Sequence, residues 1–277
     1  MERTKTPRQN KLNDLDAKEW LSESVSVWSQ RGLGASHPDA QIERLHPAPF
    51  SFTDVSRLIR LFTKRDMTVL DPFAGVGSTL KACALEGRHG IGFELNPLFV
   101  ELTQQRLRQE LPEDATTTTQ TIYEGDARVL VDKLEADSID FLVTSPPYWG
   151  ILQKIDHKAI QERVQNGLVT DYGDDARDLG NIESYEEFVA DLTDILAKSG
   201  GKLRDGGYMA VIVGDFRHKK QNHMLHADLA QSLEERDFTL KAVNVLYQRH
   251  KRVFPYGYPA AYVPNVHHQF MVILQRD

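Results

Sequence analysis

"MTVLDPFAGVGSTLKACALEG", residues 67–87, decides the fold. "MTVLD" (67–71) is apolar up to a closing acid and reads as a buried strand. "GSTLKACALEG" (77–87) has helical spacing and stops at a glycine. Gly75 and Gly77 in the intervening turn allow backbone angles that side chains forbid, so a ligand can approach closely. The turn lacks the full G-x-G-x-x-G fingerprint, and tight packing alone would also explain its glycines.

The same alternation continues outward. "HGIGFEL" (89–95) is a strand and "PLFVELTQQRLRQE" (97–110) a helix with Pro97 in its first turn. "TIYEGDA" (121–127) is a strand, "RVLVDKL" (128–134) a short helix and "SIDFLVT" (138–144) a strand. A polar segment of no clear period, 151–182, precedes the amphipathic helix "SYEEFVADLTDILAKS" (184–199). Strand 206–215 and helix 224–236 follow, then strands 239–249 and 267–275 with no helix between them, an antiparallel pair. Upstream, 53–63 has helical spacing with Thr53 or Asp54 as its cap. This order predicts an α/β fold with a doubly wound, mainly parallel sheet.

Composition sets outer bounds. At 277 residues the chain can bury one large core, and no apolar run approaches a membrane span. The first residues are charged and lack the apolar stretch of a signal peptide, so a cytoplasmic protein without membrane contact is expected. A net charge of −7 argues against a basic coat protein for nucleic acid, but not against a local basic face. Cys83 is the only cysteine, which excludes an intramolecular disulfide. Ten histidines include "HMLH" (223–226) and the adjacent His267–His268, yet neither pair has a carboxylate partner at metal-site spacing, and no metal is assigned. The expected organisation is a partly flexible arm, 1–45, containing Trp20 and Trp28. A single domain, 46–277, follows, with a small insertion at about 150–183.

Three acids close three successive strands at the carboxyl edge, where open α/β sheets bind ligands. Asp71 and Glu94 lie 23 residues apart, and Glu94 is placed to accept both hydroxyls of a ribose. Asp126 is placed to meet an adenine amino group. Each acid alone reads as a helix cap or a solvated group, whereas the set suits an adenosine. No "GK[ST]" follows the turn, which disfavours a nucleoside triphosphate.

"TSPPYW" (144–149) ends the strand 138–144. In isolation a Pro-Pro pair is a rigid turn. It is also a way to present amino-group acceptors: the Ser145 side chain, and the Pro146 carbonyl aimed by the restriction that Pro147 imposes. Tyr148 then offers a stacking face, and Trp149 either lines that pocket or packs in the core.

"DPFAGVGST", "GFELNP", "EGDA" and "TSPPYW", in that order, resemble the S-adenosylmethionine-dependent amino-methyltransferases of DNA. The resemblance spans roughly residues 46–276. It implies a class I, Rossmann-like sheet of seven strands with the last antiparallel. It places the cofactor on Asp71, Pro72, Phe73, Ala74, Gly75, Gly77, Ser78 and Thr79, on Glu94, Leu95 and Asn96, and on Asp126 and Ala127. "HPAPFS" (46–51) resembles the segment that closes over the cofactor's amino-acid end, which adds His46, Pro49 and Ser51; the lysine that relatives often carry there is missing. Catalysis would fall to Ser145, Pro146, Pro147 and Tyr148 acting on a base flipped out of double-stranded DNA. "SPPY" favours N4 of cytosine in that family. N6 of adenine is the alternative by the same geometry, and an RNA amino group a more distant one. Cytosine C5 chemistry would need a cysteine beside the target, and Cys83 is on the wrong helix.

Further contacts to DNA are expected from Trp149, from Asp215, Arg217, Lys219 and Lys220, and from Arg249, Lys251 and Arg252. The Tyr- and Pro-rich "VFPYGYPAAYVPN" (253–265) follows this last group. With so small an insertion, target recognition falls to that segment, to the arm or to a second subunit, or is loose. The resemblance also admits a cognate restriction nuclease as a partner.

Overall fold

A computed structural model describes residues 10–30, 33, 37–46, 50–150, 175, 177–218, 221–249 and 251–277. Pro49, Lys219, Lys220 and most of the insertion lie outside the described residues.

In chain order the elements are α1 (Ala17–Glu23), β1 (Val27–Ser29), α2 (Phe52–Phe62), β2 (Thr68–Asp71), α3 (Ser78–Glu86), β3 (His89–Glu94), α4 (Pro97–Gln109), β4 (Gln120–Glu124), α5 (Ala127–Leu130) and β5 (Ile139–Thr144). Then come α6 (Tyr185–Gly200), β6 (Leu203–Val213), β7 (Phe216–His218), β8 (Gln221–His223), α7 (Leu225–Glu234), β9 (Phe238–Tyr247) and β10 (His268–Arg276).

The main sheet has the order β1-β9-β10-β6-β5-β2-β3-β4. Only β10 runs against its neighbours, β6 and β9. The seven expected strands are present in a Rossmann-like arrangement. The arm adds an eighth: Val27–Ser29 pairs in parallel with Val245–Tyr247. Three residues between polar neighbours carry no strand signal of their own. The open edge of β9 supplies the hydrogen bonds, and Trp28 is held against the sheet at 1% exposure. Residues 10–23 also pack on α2, through Asn13 Nδ2 donating to the Leu61 carbonyl and through a 2.9 Å Arg57–Glu23 ion pair.

The sheet's two faces alternate as strand geometry requires. Leu70, Leu142, Met209 and Val211 face α6 and α7, whereas Val69, Phe141, Val143 and Ala210 face α2 and α3. Burial on both sides explains why β2 and β5 read as continuous apolar runs. The cap of α2 is Ser51, upstream of the expected Thr53 or Asp54. Among the described residues no helix is long and apolar enough to cross a membrane.

β2 has β3 on one side and β5 on the other, so the loops leaving β2 and β5 diverge and open a crevice at the carboxyl edge. The glycine turn leaves β2 there, and "SPPYW" leaves β5.

Candidate active site

The glycine turn is braced from below. Asp71, fully buried, accepts from the Phe73 amide (3.0 Å), the Thr79 hydroxyl (2.5 Å) and the Thr144 hydroxyl (2.6 Å). Its carboxylate ties the ends of β2 and β5 to the first turn of α3, and burial raises its pKa. Asp71 is therefore chiefly a brace for the turn. Gly77 has φ +75°, and a Cβ there would stand 2.5 Å from Thr103 Cγ2, so both backbone and space demand glycine. Gly75, at φ +52°, lies under the His46 ring.

Glu94 joins this turn to the next one. One carboxylate oxygen accepts from the Gly75 amide and the other from the Asn96 amide, both at 2.8 Å. Burial pushes its carboxyl up to about 7, with these amide bonds opposing the shift. The Asn96 side chain accepts from the Leu98 amide and caps α4. Asp126 caps α5 through the Arg128 amide (2.9 Å) and pairs with the Arg128 guanidinium (3.0 Å).

A cavity of about 250 Å³ lies over these groups. Of the expected cofactor residues, His46, Pro72, Phe73, Gly75, Glu94, Leu95, Asn96, Asp126 and Ala127 line it. A smaller cavity of about 30 Å³ behind the turn is lined by Asp71, Ala74, Ser78 and Thr79. Four residues, His46, Phe73, Gly75 and Ser145, belong to both. Ser51 lines neither; it is buried at the start of α2, with its hydroxyl 3.0 Å from that of Thr53.

The structure adds walls that the sequence reading missed. Arg128, Asp175, Arg177, Asp178 and Leu179 close one side of the large cavity, and Phe99 and Ile195 line it as well. Arg128 donates to the Arg177 carbonyl at 2.8 Å, which ties α5 to the end of the insertion. Arg128, two residues after the Asp126 cap, could have been inferred locally. Nothing local marks residues 175–179, which belong to a segment without periodicity.

The segment carrying His46 is anchored by buried charge. Arg106, with no exposed surface, donates to Glu43 (2.9 Å), Glu110 (3.0 Å), the Ser78 hydroxyl (2.9 Å) and the Val76 carbonyl (3.2 Å). Lys81 adds bonds to Glu110 (2.7 Å) and Asp39 (3.4 Å). His46 packs on Phe99 with ring centroids 4.8 Å apart.

After β5, Ser145 and Pro147 line the large cavity and Pro146 is buried. The hydroxyls nearby are committed: Ser78 to Arg106, and Thr79 and Thr144 to Asp71. Among the described residues the Ser145 hydroxyl alone in this group makes no hydrogen bond. Tyr148 is half-buried, and its hydroxyl accepts from Gln269 Nε2 at 2.6 Å. Burial pushes the phenol up to about 12, so it stays neutral at physiological pH. Trp149 takes the core role: it is 8% exposed, and its indole N–H donates to the Ile182 carbonyl at 2.8 Å. Its ring packs against Tyr185, Phe216 and His218, under the β7–β8 hairpin. Asp215 is also engaged, 2.7 Å from His226 Nδ1 at the start of α7. Arg217, Arg249, Lys251 and Arg252 are exposed. Cys83 is fully buried, and burial pushes its thiol far up, which suits packing and not nucleophilic attack.

Comparison with known proteins fits this arrangement. The family model described as DNA methylase, of the N6 and N4 type, matches residues 2–105, which include the glycine turn and Glu94. Over that segment the chain is similar to the N6 and N4 DNA methylases. The match does not separate the N4 branch from the N6 branch. Among curated proteins, the chain is 30% identical to the type II methyltransferase M.BglI of Bacillus subtilis over 131 residues, 47% of this chain and 36% of that one. It is 31% identical to the type II methyltransferase M.MthZI of Methanothermobacter thermautotrophicus over 110 residues, 39% of this chain and 31% of that one. These matches span about a third of the relatives' length. A crystal structure described as a putative rRNA-methylase from Clostridium thermocellum shares the fold, with a TM-score of 0.50 and 14% identity over 83% of this chain and 99% of that one.

Proposed function

We propose that this protein is a DNA methyltransferase of the amino-methylating type, which uses S-adenosylmethionine to methylate N4 of a cytosine flipped out of the duplex. One observation carries the reading: Ser145 lines both cavities, and among the described residues its hydroxyl is uncommitted where neighbouring hydroxyls are spent.

The donor set fits this cofactor. In this reading the positive-φ glycines at the cavity present bare backbone to the amino-acid end, Glu94 accepts from the ribose diol and Asp126 accepts from the adenine amino group; Gly75, Glu94 and Asp126 all line the large cavity. Phe73 and Leu95 supply apolar walls. The cofactor would bring an electrophilic methyl group on a sulfonium. An exocyclic amine is a weak nucleophile because its lone pair is delocalised into the ring. The Ser145 oxygen and the Pro146 carbonyl accept its N–H bonds, orient the lone pair and stabilise the positive charge that grows on nitrogen. Tyr148 stacks on the extruded base, with its hydroxyl held by Gln269. No strong base is required, because the methylated ammonium is acidic and releases its proton to water. In this reading residues 46–277 form the catalytic unit, and the arm or a second subunit shares target recognition.

Incubation with S-adenosylmethionine and mixed-sequence duplex DNA, with RNA in parallel, tests this. Nucleosides from the digest are separated by chromatography with mass detection. N4-methylcytosine is the expected product. N6-methyladenine would overturn the base assignment, and product in RNA alone would overturn the substrate.

Glu94 makes cofactor binding depend on pH. In the free protein its carboxyl titrates near 7, and ribose hydroxyls bind the ionised form better. Binding therefore lowers this pKa, and affinity falls as pH drops through 7. Calorimetry should find S-adenosylmethionine bound about tenfold more weakly at pH 6 than at pH 8. Glu94→Gln should flatten the profile, and an affinity unchanged between pH 8 and pH 6 would rule out the assigned contact. The effect on stability has the opposite sign. The native carboxyl holds its proton more tightly than the unfolded one, whose pKa is near 4.5, so this group adds stability as pH falls from about 7 towards 4.5.

A further inference from the structure

The loop between β9 and β10 leaves the same sheet edge as the active site, because β9 runs parallel to β5 and β6. It is an aromatic knob on a basic stem. Tyr258 and Tyr262 are 82% and 89% exposed, and Phe254 and Tyr256 are about half exposed. Arg249, Lys251 and Arg252 are exposed at its root and, among the described residues, make no ion pair. In a chain of net charge −7, cations free of carboxylate partners are available to another anion.

The knob is held in shape. Asn265 closes its neck, accepting from the Phe254 amide and donating to the Phe254 carbonyl, both at 2.8 Å. Below it the Gln248 amide donates to the His267 carbonyl (2.8 Å). Inside, Ala260 and Ala261 donate to the Gly257 carbonyl. Gly257 takes φ +75°, and a Cβ there would collide with the Ala261 carbonyl. The exposed rings are thus displayed by a closed loop, and large exposed apolar surface on a defined scaffold marks a binding site.

The loop's feet also reach the active site. Gln248 Nε2 donates to Gln269 Oε1 (3.1 Å), and Gln269 Nε2 donates to Tyr148. Gln248 Nε2 also donates to Gln30 Oε1 (3.1 Å), at the end of the arm's strand.

We infer that this loop is a single-strand platform: Tyr258 and Tyr262 stack on unpaired DNA bases flanking the target, while Arg249, Lys251 and Arg252 neutralise the adjoining phosphates. The inference rests on the proposed function for the identity of the strand. Extruding a base unstacks its neighbours, and aromatic faces near the extrusion site replace the lost stacking without reading sequence. Cations without carboxylate partners beside aromatic faces suit a polyanion with exposed base faces better than a protein partner.

Fluorescence anisotropy with a labelled mixed-sequence single-stranded DNA, its duplex and the corresponding RNA tests this in the full chain. The altered side chains are exposed, so melting temperature should not change. Tyr258→Ala/Tyr262→Ala should weaken single-stranded DNA binding about tenfold or more and duplex binding less. Arg249→Gln/Lys251→Gln/Arg252→Gln should reduce the slope of log affinity against log salt by about 2. Unchanged affinity and slope would overturn the inference, as would loss confined to RNA. Loss of self-association by the tyrosine variant, with DNA binding intact, would overturn it in favour of a contact between copies. The assay involves no turnover, so it separates the two readings: loop-dependent binding without methyl transfer retains the platform and removes the chemistry, and transfer indifferent to the loop does the reverse.

Discussion

Ser145→Ala is expected to lower methyl transfer to DNA by about 10²–10³-fold and to leave S-adenosylmethionine affinity within about twofold. The asymmetry follows from what the side chain touches. Ser145 makes no hydrogen bond among the described residues, so its removal strands no partner and opens no buried void. The groups assigned to the cofactor, Glu94, Asp126 and the Gly75–Gly77 backbone, keep their bonds. The loss is an acceptor for the N–H bonds of the target amine, and its value grows as positive charge develops on nitrogen. The deficit should therefore appear in kcat, with little change in KM for the cofactor. Asparagine at this position restores a side-chain acceptor and should recover part of the rate. Unchanged turnover in the alanine variant would remove Ser145 from the mechanism, and a parallel fall in cofactor affinity would move it to the cofactor site.

Arg106→Met is expected to destabilise the protein by about 3–5 kcal/mol, with a fall in melting temperature on the order of 10 °C. Methionine fills much of the space but replaces none of the four bonds. Glu43 loses its guanidinium partner while buried, and burial already raises its pKa against the pull of Arg106. Glu110 keeps Lys81 and suffers less. Because Glu43 lies three residues before His46, the variant should also loosen the segment over the glycine turn. Scanning calorimetry reads the stability, and the S-adenosylmethionine dissociation constant reads the loosening. A melting temperature equal to that of the native chain would mean that the network relaxes without cost. Glu43→Gln keeps a polar partner for Arg106 and should cost less than Arg106→Met.

Much of the framework is legible in the sequence. Apolar runs that end in acids marked β2, β3 and β4, and helical spacing marked α3, α4 and α6. Such signals are local, because a strand buried on both faces or a helix with one apolar face writes its period into adjacent residues. The rigid turn at "SPPY" was likewise legible, because proline geometry acts on its own neighbours.

The tertiary structure decided which of these groups are spent and which are free. Asp71 and Glu94 look alike in sequence, each an acid closing a strand. Asp71 is engaged by Thr79 and Thr144, whereas Glu94 is held by two backbone amides and still faces the large cavity. Trp149, one residue from Tyr148, turns into the core because Ile182 offers its carbonyl and the β7–β8 hairpin covers the ring. The eighth strand exists because β9 has an open edge, and the wall of Arg177 and Asp178 exists because the end of the insertion is tied to α5 there. None of this is periodic. A residue's conformation is largely set by its neighbours in sequence, but the saturation of its hydrogen bonds is set by groups many positions away. Neighbouring residues set the sheet, the turn and the chemistry on offer, and only the folded chain put Ser145 on the cavity wall with a hydroxyl that has no partner among the described residues.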